Sequence, residues 1–198
     1  MATGRGWLRR AAPFCGLCCA LGLAGCHPGK PSPSSVSEQS SRSVLLPQRL
    51  GWLSSERTSG ALPSAVALGG KASGRVLLYF EFAASPPGRR LLRAELVLTV
   101  SGAPGTSIGV ELSRAEAARR ELVRWSDQPR ARYPRLSVQL SSDGEPARLD
   151  VTELVRAESK PGEPLRLLLR AEPDAPEPLL IETGAAGGAA PRLQAYWE

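Results

Sequence analysis

"RVLLYFEF" (Arg75–Phe82) and "LLRAELVLTV" (Leu91–Val100) decide the fold. In the first, Val76, Leu78, Phe80 and Phe82 recur at every second residue. Arg75, Tyr79 and Glu81 stand between them, with Leu77 in the same set. In the second, Leu92, Ala94, Leu96, Leu98 and Val100 alternate with Arg93, Glu95 and Thr99. Successive side chains of a strand point to opposite faces, so this period puts one set in a core and leaves the other wet.

The pattern repeats outward in both directions. "SIGVELS" aligns Ile108, Val110 and Leu112, and "RLSVQLS" aligns Leu136, Val138 and Leu140. "PLRLLLRAE" aligns Leu165, Leu167, Leu169 and Ala171, and the closing "PRLQAYWE" aligns Leu193, Ala195 and Trp197. Shorter apolar runs lie in "SAVALGG" and "PLLIET". Turn residues separate them: "SPPG" at Ser85–Gly88, "GAPG" at Gly102–Gly105, "SDG" at Ser142–Gly144 and "KPGEP" at Lys160–Pro164. This spacing predicts an all-β domain of about eight or nine strands in an antiparallel sandwich or barrel. Two stretches depart from alternation. "SRAEAARRE", from Ser113, reads as a helix with Ser113 and Glu116 spaced as a capping box. "DVTELVRA" reads as one or two helical turns capped by Asp150.

The N-terminus follows another logic. Arg5, Arg9 and Arg10 precede an uncharged stretch from Ala11 to Gly25. About 15 residues span roughly 22 Å as a helix, whereas a bilayer core of roughly 30 Å needs about 20 residues. A basic start, a short apolar run and small residues describe a secretory signal, here residues 1–25. Leu23-Ala24-Gly25-Cys26 resembles the bacterial lipobox, in which cleavage precedes a cysteine that then carries lipid; an ordinary signal with a chance cysteine is the alternative. All four cysteines fall in the first 26 residues, so cleavage leaves only Cys26, and acylation removes that thiol from oxidation. Residues 26–42 are Ser- and Pro-rich and read as an extended tether. Residues 43–198 then form one domain, large enough for a real core. The expected location is the cell envelope, lipid-anchored at the outer membrane or cell surface, with the membrane as one partner.

The formal charge of +6 includes the three leader arginines, so the remainder is only mildly basic. No basic run with interleaved aromatics is present, which argues against nucleic acid. The single histidine, His27, adjoins the lipidation site, which argues against His-dependent triads and most zinc sites. Glu81, Glu95, Glu111 and Glu121 fall on wet faces beside arginines and read as ion-pair partners rather than catalysts. Asp127 and Asp143 read as turn residues. A structural calcium ion is conceivable there, but no run of spaced acids supports one, and no cofactor is expected.

The order "GRVLLYFEF", "LLRAELVLTV", "VRWSDQP", "LDVTELVRA", "LRLLLRAE" and "PRLQAYW" resembles the DNRLRE-type domain, also classed as carbohydrate-binding module family 96 and related to the disaggregatase domain. The resemblance covers nearly all of residues 43–198. It implies a jelly-roll-like β-sandwich of exported proteins, often joined to polysaccharide-degrading enzymes, with some members similar to alginate binders. Two regions depart from the family pattern. "QRLGWLSSERTSG" lacks the usual Asp-containing strand and Asn-x-Gly loop, and "IETGAAGGAAP" lacks the Ser-Arg-Glu-like motif. Ligand specificity is therefore not carried over.

Sugar rings stack on exposed aromatics, so the aromatics are the candidates for binding. Tyr79 and Tyr196 fall on wet faces by alternation, and Trp52 and Tyr133 lie in loop-like sequence. Trp197 and Trp125 read as core. Arg130, Arg132 and Arg135 flank Tyr133 and offer forks to acidic sugars. The expected function is non-catalytic polysaccharide binding. The alternatives are a structural or adhesion module for protein partners in an envelope assembly and, third, a polysaccharide-degrading enzyme.

Overall fold

The computed structural model describes residues 41–56, 60–70, 75–118, 121–158, 162–171 and 177–198. The leader, Cys26, His27 and most of the tether lie outside the described residues. The chain is all-β. Among the described residues the strands are β1 (Ser41–Leu45), β2 (Arg49–Ser54), β3 (Ala65–Leu68), β4 (Val76–Ala84), β5 (Leu91–Leu98), β6 (Val100–Ser101), β7 (Ser107–Ala115), β8 (Ala131–Ser141), β9 (Ala147–Asp150), β10 (Pro164–Ala171), β11 (Leu179–Glu182) and β12 (Arg192–Trp197), with one short α-helix, α1 (Thr152–Glu158).

These strands form three antiparallel sheets. One has the order β1-β12-β5-β9, a second β2-β4-β10-β7-β8, and a third β3-β11-β6. After Thr99 the chain of β5 runs on into β6, so the four- and three-stranded sheets share one strand path. The apolar sets read from alternation meet in one core. Phe80 and Phe82 stack at 6.2 Å, and Leu96, Leu112, Leu167, Leu169, Ile181, Leu193 and Trp197 are all buried among them. Trp197 thus sits where alternation places it.

Helix α1 forms where the sequence predicts it. Asp150 Oδ1 accepts the Thr152 backbone N–H at 2.9 Å and its hydroxyl at 2.6 Å. These bonds hold the Asp150 carboxyl below the usual carboxylate range, the Thr152 hydroxyl first and then its N–H. Thr152 Oγ1 in turn accepts the Ala94 N–H at 3.0 Å, and Leu154 and Val155 pack into the core.

Four expectations are corrected. Twelve strands are present among the described residues, against eight or nine expected. The additional ones are β1, β2, β9 and the separation of β6 from β5. "SRAEAARRE" does not begin a helix. Ser113 and Ala115 continue β7, opposite Arg135 and Ala131 of β8, and Ser113 also faces Leu168 of β10. Two flanking strands outweigh local helix propensity there. Leu92, expected in the core, is exposed, and Leu91 takes its place. The cause is a bulge: Tyr196 lies opposite Arg93 and Trp197 opposite Leu91, which leaves Leu92 without a counterpart. Arg156 steadies the bulge by donating to the carbonyls of Leu91 at 3.4 Å and Leu92 at 2.9 Å. Glu95, read as wet, is only 7 % exposed, because Arg93 at 2.7 Å and Arg148 at 3.4 Å close over it as ion-pair partners.

Candidate functional site

The connection from β7 to β8 shapes the surface where most of the candidate residues lie. Its ends are tied by the Glu116 N–H, which donates to the Arg130 carbonyl at 2.9 Å. Within it, Trp125–Asp127 form a single 3₁₀ turn. The Asp127 N–H donates to the Arg124 carbonyl, and Asp127 Oδ2 accepts the Arg124 N–H, both at 2.8 Å. Asp127 is thus a turn residue. Asp143 is another, with Oδ2 accepting the Ser141 hydroxyl.

This connection roofs the outer face of the five-stranded sheet. Ala118, Leu122, Trp125 and Ala131 pack against a second apolar cluster of Leu53, Leu77, Tyr79, Ala115 and Leu168. Leu122 lies directly over Gly51, where a Cβ would come within 2.6 Å of Leu122 Cδ1. A side chain at position 51 would make the end of Leu122 shift, so the glycine lets the two elements approach closely. Arg49 donates to the Ala118 carbonyl at 3.3 Å, and Arg170 to Gln128 Oε1 at 3.1 Å.

Under the roof lies a polar network. The Tyr79 hydroxyl donates to Glu81 Oε2 at 2.6 Å, and Arg166 Nε reaches the same oxygen at 2.9 Å. Arg166 and Glu81 are cross-strand partners of β10 and β4, as the wet-face ion pairing anticipates. Arg49 lies over the Tyr79 ring at 5.9 Å. Burial, reinforced by the bond to Glu81, pushes the Tyr79 phenol up to about 12. Burial also works to raise Glu81, but the Tyr79 hydroxyl and the Arg166 guanidinium outweigh it and hold the carboxyl below its ordinary value of 4.5.

The candidate residues therefore separate. Tyr79 is fully buried and is no ligand platform, because the β7–β8 connection covers the face that alternation leaves wet. Trp52 is not in a loop. It lies half-buried on β2, packed on the main core, and its indole N–H is buried without a partner among the described residues. It lines a groove of about 370 Å³ with Leu122 and Glu121. Trp125 is half-buried against the second cluster. Tyr196 is half-buried.

Tyr133 is 76 % exposed. It stands on β8, the edge strand of its sheet, at a register shift. Arg135 lies opposite Ser113 and Arg132 opposite Arg114, which leaves Tyr133 and the following Pro134 unopposed. Such a bulge re-aims a side chain, and proline on an edge strand also blocks further strand pairing. Arg135 stacks on the Tyr133 ring at 5.0 Å while pairing with Glu111 at 3.4 Å. Arg132 pairs with Glu116 at 3.3 Å. Glu116, Asp127, Gln128 and Arg130 line a groove of about 360 Å³. The structure thus brings Tyr133 and Arg135 into contact, links Arg132 to the groove through Glu116, and puts Arg130 on the groove wall. Glu116 and Gln128 are additions that the sequence reading missed, having placed Glu116 in a helix cap. The sequence signal for the turn was "SDQP", a turn cluster closed by proline.

No family model matches this chain, and no curated protein matches its sequence.

The Glu81 network sets an acid limit on stability. A carboxyl with a depressed folded pKa stabilises the fold fully above its unfolded value and loses that contribution as pH falls through the folded one. Glu81→Gln is expected to cost about 1–3 kcal/mol at neutral pH. The gap between wild type and variant in urea denaturation should shrink steadily below pH 4.5. A gap independent of pH would mean that the ionised carboxylate does not stabilise the network.

Proposed function

We propose that this chain is an exported lipoprotein, acylated on Cys26, whose β-sandwich binds acidic polysaccharide at the cell envelope without catalysing its breakdown. The observation that carries the binding reading is the Tyr133 ring. It is an open aromatic face on an edge strand, held by Arg135 and bordered by an arginine-bearing groove. An exposed ring offers a stacking surface to a pyranose, and guanidinium forks match carboxylate or sulfate groups. Fixing the ring beneath Arg135 lowers the ordering cost on binding. The order of sequence motifs, similar to that of the DNRLRE-type domain, supports the same class of ligand.

A second reading is a protein-binding module. Val44 and Leu46 are more than half exposed on and just after β1, the edge of its sheet. An apolar sheet edge is a template for pairing with another chain.

Affinity electrophoresis of the full chain against alginate and a neutral glucan separates these readings. Tyr133→Ala should lose at least about tenfold in affinity for alginate with an unchanged melting temperature. Trp125→Ala should lower the melting temperature. Salt should weaken alginate binding more than glucan binding, because screening acts over roughly 8–10 Å at physiological ionic strength and below. No retardation in any glycan would favour the protein-binding module.

The anchor has its own test. Cys26→Ser has no thiol to acylate and should move from the membrane to the soluble fraction of the expressing cell. Identical fractionation of wild type and variant would rule out lipidation at Cys26.

A further inference from the structure

A separate cleft of about 510 Å³ lies where the β4–β5 turn, the last turn of α1 and the end of β12 meet. Arg89, Arg90, Arg156, Ser85 and Trp197 are among its lining residues, and no acid is. The arginines differ in how they are held. Arg156 is fixed by the carbonyls of Leu91 and Leu92 and by Glu153 at 2.8 Å. Arg89 donates to the Ser41 hydroxyl. Arg90 meets Glu198 only at 3.5 Å with its own side chain 81 % exposed, a pairing that solvent screens. Ser85 and Trp197 contribute a second observation. The Ser85 hydroxyl and the Trp197 indole N–H are both buried with no hydrogen-bond partner among the described residues, and Trp197 itself is 1 % exposed. Buried donors without partners are rare in folded proteins and call for an explanation.

We infer that this cleft is an oxyanion-binding site, taking a carboxylate, sulfate or phosphate group. The lining supplies guanidinium and indole donors, which cannot accept, together with one hydroxyl. Guanidinium pairs recognise planar or tetrahedral oxyanions through parallel hydrogen bonds, and an indole N–H or a hydroxyl adds a directed one. Glu198, Glu153 and Asp150 are acids near these arginines, and Asp150 is already engaged by Thr152. Glu153 stays on Arg156, whereas the long Arg90–Glu198 contact yields to a better acceptor. The site is independent of Tyr133 and of the reading built on it.

The test is the indole N–H resonance of Trp197 in the ¹⁵N-labelled full chain, identified by its loss in Trp197→Phe. Sodium sulfate should shift it saturably, and sodium chloride at equal ionic strength should not. The double variant Arg89→Ala/Arg90→Ala, which alters only exposed side chains, should keep its melting temperature and bind sulfate at least about tenfold more weakly. No sulfate-specific shift, or equal affinity in the double variant, overturns the site. Two further arms, an oligouronate and phosphatidylglycerol vesicles, assign its source. A shift at lower concentration than sulfate with the first identifies an acidic glycan, and with the second a lipid headgroup. Weaker effects than sulfate from both overturn a macromolecular ligand and leave a free anion.

Discussion

A sheet with apolar residues on both faces cannot leave either face in water. In the five-stranded sheet, Phe80 and Leu167 point into the main core, while Leu77, Tyr79 and Leu168 stand on the opposite side. At about 25 cal/mol per Å² of apolar surface, exposing that second set would forfeit several kcal/mol. The β7–β8 connection is the cover. It is held by Leu122 against Gly51, by Arg49 on the Ala118 carbonyl and by Arg170 on Gln128.

The remaining surface features follow from that cover. With it in place, the buried Tyr79 hydroxyl finds its partner in the half-buried Glu81–Arg166 pair, as burial of a polar group demands. The connection returns to the sheet at Arg130, and β8 therefore enters as an edge strand beside β7. The bulge at Tyr133 and Pro134 sits just beyond that return, with the Glu116–Asp127 groove next to it. Arg135 on the ring and Arg132 on Glu116 connect the bulge to that groove.

Much of the core was legible from alternation. Ile108, Val110, Leu112, Leu165, Leu167, Leu169, Leu193, Ala195 and Trp197 are all buried on the face that period two assigns. Alternation failed where a strand is not regular or not half-wet. Leu92 left the core through a bulge that depends on pairing with β12, which no local pattern encodes. Alternation puts Tyr79 on a wet face because it assigns the strand a single core-facing side, whereas both sides of β4 are covered. The signal was present in Leu77 and Leu168, apolar residues among charged neighbours on two strands that prove to be adjacent. Trp52 was misread because β2, "RLGWLS", carries a glycine and has apolar residues on both faces, Leu50 and Trp52 on one and Leu53 on the other, so alternation does not mark it as a strand. Tyr133 was legible as an exposed aromatic, but it stands on β8 and not in the loop that its sequence suggests. Its contact with Arg135 was not legible, because the ring's direction depends on the register between β7 and β8.

Hydroxyl-radical footprinting of the full chain tests the roof most directly, because it reads side-chain access to solvent residue by residue. The Tyr133 ring should be oxidised readily, and Tyr79, 0 % exposed beneath Leu122 and Ala118, should be protected until the chain is unfolded. Oxidation of Tyr79 at a rate comparable to that of Tyr133 in the native protein would contradict a sheet buried on both faces.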